Sequence, residues 1–183
     1  MSAHHPQLPD IPVLGFAAFS GTGKTTLLEK VIPILVEHGF QVGVYKHSHH
    51  VVELDKPGKD SFRLRKAGAC QTLLSTPERS ILTTEVRDDK SADFYQRLTQ
   101  FDTQHLDIIL VEGCKEKHFP KIEIHRAEME KPWLYRSDPA ILAVASTTPI
   151  DGPIPYLDLN NTAQIVSFIE TYIHQFTPSS SSQ

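Results

Sequence analysis

The segment Ala18-Phe-Ser-Gly-Thr-Gly-Lys-Thr25 constrains the fold of this chain more than any other. It follows a compact apolar run, Val13–Phe19, that reads as a buried parallel strand. It opens a stretch, Lys24–His38, in which Leu27, Leu28, Val31, Ile32, Leu35 and Val36 recur at helical spacing. Strand, glycine-rich turn and helix in this order form the P-loop, a phosphate cradle, here with alanine in place of the first glycine. Gly21 and Gly23 allow positive φ and let backbone amides approach phosphate oxygens. Lys24 brings an ammonium to the β- and γ-phosphates, and the Thr25 hydroxyl can ligate Mg²⁺. The helix beginning near Lys24 aims its free amides at the same anion. Ser20, Thr22 and Thr26 complete the candidate phosphate-contacting segment.

The remaining pattern alternates apolar runs with amphipathic stretches. Gln41–Lys46, Thr72–Ser75, Ile81–Val86, Leu106–Val111 and Ala140–Ala145 read as strands. Lys121–His125 alternates polar and apolar residues, which suggests an edge strand or half of a hairpin. Asp60–Gly68, Ala92–Phe101 and Asn161–Phe176 read as helices, with Asp60 a good N-cap. Pro33 should kink the first helix, and Gly39 should end it. Strands separated by helices imply right-handed crossovers. The expected fold is α/β, doubly wound, with a mostly parallel sheet and helices on both faces. Its ligand site should lie beyond the carboxyl ends of the strands. One domain over 13–176 is expected, between a flexible lead at 1–12 and a polar tail at 177–183.

The 183 residues carry a net charge of −4, which argues against a strongly basic face for nucleic acid or anionic membrane. Two cysteines, Cys70 and Cys114, are too few for a disulfide framework and read as free and buried. The start of the chain lacks the pattern of a secretory signal, and no apolar run reaches membrane-spanning length, so a cytoplasmic location is expected.

Several residues are candidates for the chemistry around the cradle. Glu112 follows the strand Leu106–Val111 at its carboxyl end, where its carboxylate could serve Mg²⁺ or orient a water; the alternative is a solvated strand-end glutamate. Asp107, at the strand's other end, reads as structural. Asp55 and Asp60 follow the second strand, where a second acidic group for Mg²⁺ is often found; either could instead be a turn or cap residue. Lys46-His-Ser-His-His50 ends the second strand. Lys46 and His47 suit an anionic phosphate there, while His47 and His49 in extended chain could ligate zinc. Lys56, Lys59, Arg63 and Arg65 form either a solvated helix face or a basic patch.

Taken together, FSGTGKTTLLEKVIP, VYKHSHH, DKPGKDSFRLRKAGA, DIILVEGCK and PKIEIHR resemble the molybdopterin-guanine dinucleotide biosynthesis protein B (MobB) family. The resemblance spans about Val13 to Phe176. It implies a cytoplasmic, dimeric GTP-binding adapter with weak GTP hydrolysis, acting beside the MobA nucleotidyltransferase and possessing Mg²⁺ as cofactor. Molybdopterin itself is a further candidate partner. By the same resemblance Gly21, Gly23, Lys24 and Thr25 contact phosphate and Mg²⁺, Glu112 is the strand-end acid, and Asp55 to Asp60 is the second loop. An aromatic often follows the VEG segment in relatives; here Cys114 stands there. GTPases commonly read guanine through an NKxD segment, which this chain lacks; Ala145-Ser-Thr-Thr-Pro149 is placed to touch a base without choosing guanine over adenine. No arginine is identifiable within the loop, so fast hydrolysis would need a group from a dimer mate or partner. A small-molecule kinase using the same cradle is the alternative reading.

Overall fold

The computed structural model describes residues 8–48, 56–86 and 93–177. Residues 1–47 and 94–183 form one compact unit and residues 48–93 a second, where the sequence suggests a single domain.

The first unit is built on a six-stranded sheet. Its strands are β1 (Val13–Ala17), β2 (Val42–Lys46), β5 (Ile108–Glu112), β6 (Lys121–His125), β7 (Ile141–Ser146) and β8 (Tyr156–Asp158). The order is β2-β5-β1-β6-β7-β8, and every neighbouring pair is parallel. Helix α1 (Lys24–Glu37) and helix α4 (Thr162–Gln175) cover one face, where Leu27, Leu28, Val31, Leu35, Ile165, Val166 and Ile169 pack on Leu14, Phe16, Ile108 and Leu110. Helix α3 (Phe94–Leu98) covers the other, with Phe94 and Leu98 against Val13, Ile109, Val111 and Phe119. Burying each such side chain contributes about 1.5–3 kcal/mol. The expected doubly wound architecture is therefore present. No helix among the described residues is long and apolar enough to cross a membrane.

Helix α1 keeps Pro33 on its exposed side, where water can meet the carbonyl that the missing N–H leaves free. Its end is a Schellman turn: Phe40 N–H donates to Leu35 O and Gly39 N–H to Val36 O, with Gly39 at φ +94°. Asn161 caps α4 by accepting from Gln164 N–H at 3.1 Å.

Strand β6 corrects the sequence reading. It is no edge strand but lies between β1 and β7, all five residues buried. Its alternating polar residues point at internal partners instead of water. Lys121 donates to Asp138 Oδ2 at 2.7 Å, Glu123 accepts from Leu134 N–H and Tyr135 N–H at 2.9 and 2.8 Å, and His125 stacks on Trp133 at 3.5 Å. Space for this arrangement comes from Gly15 on β1. A Cβ there would sit 2.6 Å from Phe119 Cε2 and 2.8 Å from Lys121 Cγ. Gly15→Ala should therefore cost about 1–3 kcal/mol by overpacking. Urea denaturation checks this, and a loss under about 0.5 kcal/mol would mean the strand relaxes freely.

Other corrections are smaller. Strand β8 has no counterpart in the sequence pattern, because its three residues are too few to show a period. Residues 8–12 are no flexible lead: Leu8 and Ile11 pack on the second cluster, and Pro12 O accepts from Ile109 N–H at 2.9 Å. Cys70 is exposed and Cys114 half-buried, against the expectation that both are buried. Asp107 is structural, its carboxylate accepting from Gln41 N–H at 2.7 Å.

The second unit contains helix α2 (Asp60–Lys66) and an antiparallel hairpin of β3 (Gln71–Ser75) and β4 (Ser80–Thr84). Lys59, not Asp60, holds the N-cap position; Asp60 is the first helical residue and pairs with Arg63 at 3.5 Å. Arg65 pairs with Glu85 at 2.8 Å, so it is not simply a solvated face. The hairpin exposes Leu73, Leu74, Ile81 and Leu82.

Candidate functional site

The parallel sheet brings the carboxyl ends of β1, β5, β2, β6 and β7 to one rim, and the cradle forms there. Gly21 and Gly23 adopt φ of +81° and +93°. A Cβ on either would meet nothing closer than 3.6 Å, so backbone conformation rather than crowding requires glycine. Gly23 is also the N-cap of α1, and no side chain caps the helix. With no acid in the first turn, the uncapped amides leave a helix end suited to an anion. Thr22 is buried, its hydroxyl donating to Phe19 O, so its side chain braces the turn. Ser20, Gly21, Thr25 and Thr26 are exposed around the turn and the start of α1.

Lys24 folds over this turn, its Nζ 3.1 Å from Phe19 O and 3.4 Å from Ala18 O. Burial lowers its pKa below the ordinary lysine value; Glu112 opposes the shift, while Lys115 and Lys46 add to it. An anion beside Lys24 favours the protonated form. Affinity for a polyphosphate should therefore fall as pH rises through this lowered pKa, below the usual lysine value of about 10.4. Titrating inorganic tripolyphosphate across alkaline pH tests the expectation; an affinity that stays flat to the ordinary lysine range would refute it.

The β2–β5 register sets Lys46 directly opposite Glu112. Thr25 Oγ1 donates to Glu112 Oε1 at 2.7 Å, and Lys46 Nζ lies 3.1 Å from Glu112 Oε2 and 3.4 Å from Thr25 Oγ1. A hydroxyl and a carboxylate thus converge on one cation, here the Lys46 ammonium. Hard oxygen donors in this pairing fit Mg²⁺. His47 follows β2 and is exposed. Asp60 belongs to the second unit, and Asp55 and His49 lie outside the described residues. Among the described residues no group of three or more His, Cys, Asp or Glu could hold a metal ion.

Two basic contributors, Arg126 and Lys115, are not singled out by the sequence, and Thr147 lies in the segment Ala145–Pro149 that it places near a base. Arg126 Nε donates to Thr22 O at 2.9 Å, placing a guanidinium against the cradle. Lys115 Nζ sits 4.3 Å over the Phe19 ring. Thr147, after β7, donates to Glu128 Oε2 at 3.1 Å. Arg126 was legible only as the last residue of PKIEIHR, and reading that strand as an edge hid its position beside β1. Lys24, Lys46, Lys115 and Arg126 stand against Glu112, Glu116 and Glu128 around the turn, so positive charge is in slight local excess despite the net negative chain.

The family described as MobB, molybdopterin guanine dinucleotide synthesis protein B, matches residues 13–147. The chain belongs to that family. A molybdopterin-guanine dinucleotide biosynthesis adapter protein of Haemophilus influenzae is 46% identical over 166 residues, covering 91% of this chain and 92% of the relative. The Escherichia coli adapter protein of the same description is 42% identical, covering 90% and 95%. A crystal structure of molybdopterin-guanine biosynthesis protein B (mobB) superposes with a TM-score of 0.70 at 24% identity, covering 89% of this chain and 99% of that one, which bears on the fold alone. MobB membership places the chain in molybdopterin guanine dinucleotide synthesis, among adapter proteins.

Proposed function

We propose that this MobB-family chain is a GTP-binding adapter with weak GTPase activity that assists a MobA-type nucleotidyltransferase, acting as a cytoplasmic homodimer with Mg²⁺. One observation carries the nucleotide part of this reading. Lys24, Thr25, Lys46 and Glu112 converge at the carboxyl rim of the sheet beside an uncapped helix N-terminus. The Lys24 ammonium would neutralise phosphate charge, and Thr25 with Glu112 would hold Mg²⁺, which supplies charge stabilisation to the phosphates. Glu112, one oxygen on Thr25, would also orient a water. This is a sparse hydrolytic apparatus, consistent with slow turnover. The adapter and partner assignments rest on family membership, and the dimer on the family resemblance.

Isothermal titration of the native protein with GTP and ATP, each with Mg²⁺ and with chelator, tests the reading. GTP should bind at least tenfold more tightly than ATP and weaken on chelation. Equal or tighter ATP binding would remove the GTP assignment. Sedimentation of the protein with the nucleotidyltransferase, with and without GTP, then tests the adapter role; absence of a complex under both conditions would remove it.

A further inference from the structure

The turn after β6 runs along the cradle. Arg126 donates to Thr22 O, its Nη2 lies 3.6 Å from where a Gly23 Cβ would stand, and Met129 Cε lies 3.9 Å from the equivalent point on Gly21. The turn, a single 3-10 segment Ala127–Met129, ends at Glu130 in left-handed backbone. At its exposed tip is Glu128. One carboxylate oxygen accepts from the Thr147 hydroxyl at 3.1 Å, and the other lies 3.5 Å from Arg126 Nη1. Thr147 in turn accepts from Ala127 N–H at 3.3 Å, which closes the link between the turn after β6 and the segment after β7. Glu128 is thus an oriented carboxylate facing solvent at the carboxyl rim, one guanidinium away from the phosphate cradle.

We infer that Glu128 is the residue that selects guanine, accepting hydrogen bonds from the base's N1–H and 2-amino group. The inference deepens the GTP reading and rests on it. An ionised carboxylate offers only acceptors. Guanine presents two adjacent donors on this edge and satisfies both oxygens. Adenine presents a bare N1 lone pair there, which the carboxylate repels. A site built around such paired hydrogen bonds discriminates strongly, because the wrong base leaves its acceptors unmet. Arg126 and Thr147 act as positioning residues: they hold the carboxylate from either side and tie its place to that of the phosphates. This arrangement supplies, from the turn after β6, the acidic base contact that the segment Ala145–Pro149 lacks.

The test uses the full chain with Mg²⁺ and four triphosphates. Native protein should prefer GTP to ATP by tenfold or more and bind inosine triphosphate, which lacks the 2-amino donor, several-fold more weakly than GTP. In Glu128→Gln the amide NH₂ can donate to the 2-oxo group of xanthine while its carbonyl accepts from N1–H. That variant should lose GTP affinity at least tenfold and gain xanthosine triphosphate affinity at least tenfold. Because Glu128 is exposed, the variant should keep the native circular dichroism and Tm; if it does not fold, the inosine comparison on native protein decides. An unchanged GTP preference in Glu128→Gln, or equal native affinities for inosine and guanosine triphosphates, overturns the inference while leaving GTP binding intact. A native protein that binds no triphosphate, or prefers ATP, overturns both.

Discussion

Lys121→Met should destabilise the protein by about 3–5 kcal/mol, the cost of removing one partner of a buried ion pair. Lys121 is wholly buried, and its ammonium meets Asp138 Oδ2 at 2.7 Å, Lys115 O at 3.3 Å and the carbonyl of Lys117. Methionine retains the stem and its packing near Phe119, so the loss isolates the charge. What remains is a half-buried Asp138 carboxylate without its cation, and the Lys115 and Lys117 carbonyls lose the Lys121 ammonium. Lys121→Met with Asp138→Asn should recover part of the loss, since the second change removes the orphaned charge. Urea denaturation measures both; a single-variant loss below about 1 kcal/mol would show that water reaches the pair. The effect also extends to the rim. Lys121 holds the carbonyls of the segment that follows Glu112 and carries Lys115, so the single variant should weaken polyphosphate binding as well.

Lys24→Ala should reduce triphosphate affinity on the order of a hundredfold, about 2.8 kcal/mol at 1.4 kcal/mol per tenfold. The loss comes from charge-assisted hydrogen bonds, each worth roughly 1.5–3 kcal/mol. The fold should survive, because Lys24 is half-exposed and the Ala18 and Phe19 carbonyls it leaves can be met by water. Lys24→Arg should not restore affinity, since a planar fork cannot follow the path of a compact ammonium across the turn. Titration calorimetry reads both variants. Native affinity in Lys24→Ala would dismiss the cradle altogether.

Much of this was legible before any coordinates. The P-loop announced itself because its glycines, lysine and threonine occupy fixed offsets between a strand and a helix, a local pattern with local causes. Glu112 was legible for a similar reason, as the first polar residue after an apolar strand. The interior place of strand β6 was not, because period-two polarity normally marks a solvated face. Here each polar side chain found a partner from a distant segment: Asp138, the amides of Leu134 and Tyr135, and the ring of Trp133. Pairing of that kind leaves no trace in the periodicity. The roles of Arg126, Glu128 and Thr147 were hidden with it, since they follow from which strand lies beside β1. Asp60 was misjudged on a finer scale, by one position at a helix start, where Lys59 takes the cap without a side-chain bond.

The hydrogen bonds of the rim join residues far apart along the chain: Thr25 and Glu112 are separated by 87 positions, Thr22 and Arg126 by 104. Loop closure over such distances is slow, and these contacts form only once β1, β5 and β6 have docked in register. No fragment ending before Arg126 can assemble the complete rim, so a nascent chain completes it late in synthesis. Ligand that binds only the completed rim stabilises the finished fold by mass action, and does nothing for partly folded chains. Under the proposed triphosphate binding, retention on an immobilised triphosphate would therefore separate mature molecules from incomplete ones, making the cradle a quality gauge for the finished fold.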